Sequence, residues 1–152
     1  MPIAIARCFA FVGPHLPLDA HFAIGNFIGD ALEGRTIRVN GDGTPMRSYL
    51  YAADLAIWLW TLLLRAPEMG ASPAVFNVGS GEAVSIAELA RVVAEVVNPE
   101  CSVEIAREAE PGAARQQYVP RVEKVERELG LHAWVGLREA IRRTAEWHKL
   151  CA

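Results

Sequence analysis

Val39-Asn40-Gly41-Asp42-Gly43-Thr44-Pro45-Met46-Arg47-Ser48-Tyr49-Leu50-Tyr51-Ala52-Ala53-Asp54-Leu55 sets the reading of the chain. Thr36-Ile37-Arg38-Val39 is of strand type and Asn40-Gly41-Asp42-Gly43 is the turn that ends it. Arg47 follows the turn by four residues and precedes two tyrosines. Asp54 is placed to cap a helix that runs to about Arg65 and stops before Pro67. This order directs one guanidinium from a sheet edge toward whatever lies over the turn, and its planar fork suits a diphosphate. A loop-stapling arginine is the alternative. Two features are missing: the chain has no G-x-G-x-x-G turn, and Tyr49, Tyr51 and Tyr118 are followed four residues later by Ala53, Leu55 and Val122, never by lysine.

The 152 residues, 52% of them hydrophobic, suffice for one ordinary core, so a single unit over 1–152 is expected. Net charge is -3 with both signs interspersed, which gives no footprint for nucleic acid and no polybasic surface for a membrane. All fifteen basic residues except Lys124 and Lys149 are arginines, a bias toward bidentate anion recognition that coding bias also explains. Cys8, Cys101 and Cys151 are odd in number and far apart, which speaks against a disulfide framework or a zinc site and for a reducing compartment. No basic n-region precedes a long apolar one, so the cytoplasm is the expected location. Residues 55–64 are apolar except for Thr61 but fall well short of the ~20 needed to cross a bilayer, and they read as a buried helix.

Residues 3–9 suit a strand buried on both faces. It starts almost at Met1, where a buried strand lacks preceding neighbours, so a truncated chain is expected. Asp19 is placed to cap a helix through about Leu32 that ends at Gly34, and Gly25 and Gly29, one turn apart, thin a face against which something packs closely. Residues 74–78 form another buried strand, closed by Gly79-Ser80-Gly81. Ser85 and Glu88 match the capping box, with Val84 and Leu89 as a hydrophobic staple, for a helix ending near Asn98-Pro99. A strand over 102–106, a polar loop over 108–117 holding Pro111-Gly112, a short helix ending at Gly130 and a last one over 137–148 complete the order.

Several residues have two readings. Arg115, in the polar loop, is a second phosphate contact or a solvated arginine. Arg38 and Asn40 beside the turn can hydrogen-bond a nucleobase or ribose, or be solvated. Asn77 fixes the turn after its strand or reaches into a crevice at the strand ends. Asp54 reads as a cap, not as an acid or base. His15, His21, His132 and His148 show no metal spacing, and no G-x-S-x-G elbow is present. The Gly79-Ser80-Gly81 turn lacks a third glycine, and backbone geometry is its expected role.

Taken in order, Arg7-Cys8-Phe9-Ala10-Phe11-Val12-Gly13-Pro14, Phe27-Ile28 with Ala31-Leu32-Glu33-Gly34, Gly41-Asp42-Gly43 to Arg47, Tyr51-Ala52-Ala53-Asp54, Phe76-Asn77-Val78-Gly79-Ser80-Gly81 and Ser85-Ile86-Ala87-Glu88-Leu89-Ala90 resemble the C-terminal half of the NAD-dependent epimerase/dehydratase family, the extended short-chain dehydrogenases that act on nucleotide sugars. The resemblance covers essentially the whole chain. It implies an α/β piece: the last strands of a Rossmann sheet plus a small substrate-binding lobe, without the N-terminal half that carries the glycine turn and the Tyr-x-x-x-Lys set. Arg47 would hold the diphosphate, Arg38 and Asn40 would lie near the base, Asn77 near the nucleotide, and Arg115 would add a phosphate contact.

In the full-length family NAD takes a hydride from the sugar before epimerisation, dehydration or decarboxylation. No catalytic residue is assigned here, and NAD is not expected to bind this piece alone. Ala10 and Val12 stand where asparagine and tyrosine are usual, removing polar groups that face the sugar and nicotinamide, and Glu110 stands where an arginine often precedes Pro-Gly. The expected partner is a nucleotide-diphosphate sugar. A binding or regulatory module without chemistry is the alternative, and uncovered apolar surface on the first strand and on 55–64 leads to an expected homo-oligomer.

Overall fold

A computed structural model describes residues 2–70, 73–110, 112 and 114–151. Strand β1 (Ala4–Cys8) runs parallel to β6 (Ala74–Val78), with Ala4 opposite Ala74 and Cys8 opposite Val78. Short parallel pairs join β2 (Phe11–Val12) to β5 (Leu50–Tyr51) and β3 (Ile37–Val39) to β8 (Val103–Ile105). Strand β4 (Met46–Arg47) lies between β7 (Val84–Ser85), antiparallel, and β9 (Gln117–Tyr118), parallel. The helices are α1 (Ala23–Leu32), α2 (Ala52–Arg65), α3 (Ile86–Val97), α4 (Glu123–Leu129) and α5 (Leu137–Cys151). The fold is α/β, as expected.

Two apolar clusters hold these elements. Helices α1, α3 and α5 close over β3 around Ile28, Ile37, Leu89, Val93 and Ile141. Helices α2 and α4 cover the β1–β6 pair around Trp58, Leu62, Phe76, Val78 and Val125. Sequence signals that act within one turn agree with the structure: Ser85 Oγ accepts the Glu88 N–H at 3.1 Å, and Gly130 ends α4 in the left-handed region at φ 65°. The Gly25–Gly29 face is filled as expected, because a Cβ at Gly25 would stand 2.4 Å from the Pro17 carbonyl oxygen and one at Gly29 3.2 Å from Leu18 Cβ.

That close packing also explains a departure. The 17–18 loop runs alongside α1 and delays the helix, which starts at Ala23 with Phe22 as its N-cap residue, so Asp19 is not the cap. Asp54 is not a cap either. Tyr51 takes that position, and Asp54 sits inside the first turn of α2, 2% exposed, accepting the N–H groups of Trp134 and Val135 on one oxygen at 3.1 and 3.0 Å. The polar stretch 108–117 ends in β9, a strand formed by pairing with β4 rather than by its own composition.

Burial departs furthest on the two apolar elements. Among the described residues strand β1 is paired on one edge alone, and Ile3 and Ile5 are 44% and 43% exposed where burial on both faces was expected. On α2, Asp54, Trp58 and Leu62 are buried, whereas Trp60, Leu63 and Leu64 are 64%, 63% and 69% exposed. A two-stranded sheet covers one stripe of a helix and no more.

The 40–44 turn is held by its own side chains and by α3. Asp42 Oδ1 accepts the N–H and hydroxyl of Thr44, both at 2.9 Å, and these bonds hold the Asp42 carboxyl below the usual carboxylate range. Gly43 has φ +74°, and a Cβ there would lie 2.6 Å from Ala87 Cβ in the first turn of α3. Gly43→Ala is expected to cost about 2 kcal/mol or more in chemical denaturation, from left-handed strain and the clash together. Asp54→Ala strands two backbone donors beside α2 and is expected to cost about 3 kcal/mol in the same assay; a loss below about 1 kcal/mol would show that water replaces the carboxylate.

Candidate functional site

Strand β3 alternates Ile37 and Val39 inward with Arg38 outward, and the turn that follows lays Asn40 and Gly41 beside it. Together with Arg47 these residues line a cleft of about 520 Å³ whose far wall is α1 with its preceding loop, including His21, Asn26 and Asp30. A Cβ at Gly41 would meet nothing within 4 Å, so this glycine leaves the cleft open. Asp30 carries the one carboxylate in the lining, and Arg35 engages it at 3.0 and 2.9 Å. Arg38 keeps a loose 3.5 Å contact with Glu104, both largely exposed, an attraction that solvent weakens.

Arg47 is half-buried, and strands on both sides fix its backbone: it stands opposite Val84 of β7 and Tyr118 of β9. Its Nη1 donates to the Met46 carbonyl at 2.8 Å, and it has no carboxylate partner among the described residues. The rest of its fork is available to an anion.

A second cleft, about 600 Å³, adjoins the first and shares His21, Ala23, Arg47 and Ile86 with it. Its own lining is apolar and aromatic, including Phe9, Ala10, Phe11, Phe22 and Tyr49. Phe9 and Tyr118 stack with ring centroids 4.8 Å apart, tilted by 33°. Burial pushes the Tyr49 hydroxyl up to about 12, against the opposing charge of Arg47. Tyr49 therefore stays protonated at neutral pH, a hydrogen-bonding hydroxyl and not a base.

The structure thus brings Arg38, Asn40 and Arg47 into one cleft. Asn77 lines neither cleft; its Nδ2 donates to the Arg121 carbonyl at 2.9 Å, ahead of α4 rather than to the turn that follows its own strand. Arg115 and Glu110 are exposed and also line neither, Arg115 lying just ahead of β9, while Pro111 falls outside the described residues. Of the two positions expected to face the ligand without polar groups, Ala10 lines the apolar cleft, but Val12 is 1% exposed inside the α1–α3–α5 cluster. Sequence reasoning missed His21, Asn26 and Tyr49. The alternation Arg47, Tyr49, Tyr51 was a signal for Tyr49, and none existed for the other two.

Among the described residues no group of three His, Cys, Asp or Glu could hold a metal ion, and no helix is long and apolar enough to cross a membrane. A dinucleotide needs a glycine turn open to its pyrophosphate. Gly79-Ser80-Gly81 does not fit: a Cβ at Gly79 would stand 2.9 Å from Pro120, and one at Gly81 3.1 Å from Val122, so protein already covers that backbone. The expected backbone role of this turn agrees with that packing.

A profile described as the NAD dependent epimerase/dehydratase family matches residues 1–79. UDP-glucuronic acid decarboxylase 5 of Arabidopsis thaliana is 32% identical over 139 residues, which are 91% of this chain and 39% of that protein. UDP-glucuronic acid decarboxylase 1 of Xenopus tropicalis is 27% identical over 147 residues, 97% of this chain and 33% of that protein. Among solved structures, an epimerase from Methanothermobacter thermautotrophicus superposes with a TM-score of 0.81 at 26% identity, covering 99% of this chain and 44% of its own. MoeE5 in complex with UDP-glucuronic acid and NAD gives 0.75 at 26% identity, covering 98% and 48%. The chain therefore spans less than half the length of these relatives. Profile, relatives and superposition agree with the motifs and the cleft they build: the chain belongs to the NAD dependent epimerase/dehydratase family.

Proposed function

We propose that this chain is the nucleotide-sugar-binding portion of an NAD-dependent epimerase, dehydratase or decarboxylase. Arg47 grips the diphosphate, Arg38 and Asn40 lie toward the nucleobase and ribose, and the apolar cleft lies toward the sugar. The observation that carries this reading is the position of Arg47 at the junction of a polar and an apolar cleft, with most of its guanidinium unengaged. Similarity to UDP-sugar enzymes points to a uridine nucleotide. The sequence contains neither Tyr-x-x-x-Lys nor G-x-G-x-x-G, so this chain does not turn over a sugar nucleotide by itself. Its residues bind and orient; hydride chemistry belongs to NAD and to groups that this chain does not carry. Asn77 and Arg115 contribute through the loops they hold or border rather than from a cleft wall.

A homo-oligomer accompanies this reading. Ile57, Leu59, Trp60, Leu63 and Leu64 are 48%, 40%, 64%, 63% and 69% exposed on one helix, an apolar face of the kind that marks an interface. The occupant proposed for that surface is a second copy of α2.

Titration calorimetry with UDP tests the grip. Arg47→Ala is expected to weaken UDP binding at least about tenfold, the share of a lost charge-assisted hydrogen bond. An unchanged affinity, or tight NAD binding without any sugar nucleotide, would sink the assignment. In sedimentation the protein is expected as a dimer or larger and Trp60→Glu as a monomer; a monodisperse wild-type monomer would refute the oligomer.

A further inference from the structure

The apolar cleft differs from the polar one in what its wall offers a sugar. Hydroxyls and charges in its lining come from His21, Arg47, Tyr49 and Tyr118, and the first two are shared with the polar cleft. Two backbone groups of the wall are already paired: the Phe9 N–H donates to the Val78 carbonyl at 3.0 Å, and the Ala10 carbonyl accepts the Leu50 N–H at 3.0 Å. Phe11 is paired with Leu50 in the β2–β5 ladder. Between the rings of Phe9 and Phe11 the wall therefore presents the methyl group of Ala10, with the Phe9 N–H and the Ala10 carbonyl beside it engaged elsewhere. A hydroxyl pressed against that methyl loses water and gains nothing from it, whereas a C–H or methyl group loses nothing.

We propose that this cleft receives the sugar end of a nucleotide-diphosphate sugar and selects a deoxygenated sugar, one lacking a hydroxyl on the face laid against Ala10, with Ala10 as the residue that sets the preference. The inference rests on the diphosphate reading of Arg47, whose place at the junction of the clefts makes the apolar one continuous with the nucleotide site. About 600 Å³ is within the usual range of a small-molecule pocket and more than one hexose ring fills. Tyr49 and Tyr118 remain to hydrogen-bond the hydroxyls that the ligand keeps. Discrimination of this kind is modest, because an apolar pocket rejects an added hydroxyl by about tenfold to a hundredfold.

The test is titration calorimetry of the full chain with UDP, UDP-glucose and the 2-, 3-, 4- and 6-deoxy analogues of UDP-glucose. At least one deoxy analogue is expected to bind about tenfold more tightly than UDP-glucose. Ala10→Asn and Ala10→Ser, which put a donor and an acceptor on the wall, are expected to lower that ratio to about threefold or less, with melting curves confirming that each variant is folded. If every deoxy analogue binds no better than UDP-glucose, or if the ratio survives both substitutions in folded protein, the selection is overturned even though UDP still binds through Arg47. If UDP itself does not bind, the reading of the site fails and the selection with it.

Discussion

One buried carboxylate joins the two halves of this molecule. Asp54 lies in the first turn of α2, which packs over β1 and β6, and the N–H groups that it accepts belong to Trp134 and Val135 on the approach to α5, which packs with α1 and α3. Trp58, one turn further along α2, donates its indole N–H to the His132 carbonyl at 3.2 Å, so a single helix holds the 132–135 segment at two points. A carboxylate in a first helical turn is also favoured by the helix dipole. Strand β5 runs directly into α2, and β4 lies just before it, so the tie that fixes the helix also fixes where Arg47 and Tyr49 emerge.

What could be read from the sequence was what acts over a few residues. Ser85 caps α3 because its hydroxyl reaches three residues ahead, and Gly43 is needed because its turn requires a left-handed residue beside Ala87. Asp54 has the right residue type for a cap, but its partners lie 80 and 81 residues away, and no local pattern encodes that distance. The apolar run in α2 correctly announced a helix in want of cover. It could not say that the cover here reaches one stripe, because the number of strands beneath a helix is a property of topology.

The site divides in the same way. Arg38, Asn40 and Arg47 fall within ten residues on a strand, its turn and the next strand, so their convergence follows from the order of elements. His21 and Asn26 reach the cleft because α1 packs across β3, a tertiary contact without a sequence signature. The amide of Asn77 goes to the Arg121 carbonyl, 44 residues on, a partner that no pattern around its own strand encodes. Val12 shows the reverse case, a position whose neighbours in sequence line a cleft while its own side chain turns into the core.

The two glycines of α1 control more than a packing distance. Because they let the 16–18 loop lie directly on the helix, Leu16 in the apolar cleft and Asn26 in the polar one are mounted on a single rigid block. The contact between loop and helix is thus common to a wall of the apolar cleft and a wall of the polar one. A methyl group added at Gly25 would press on the Pro17 carbonyl and so bear on both clefts from a position that lines neither.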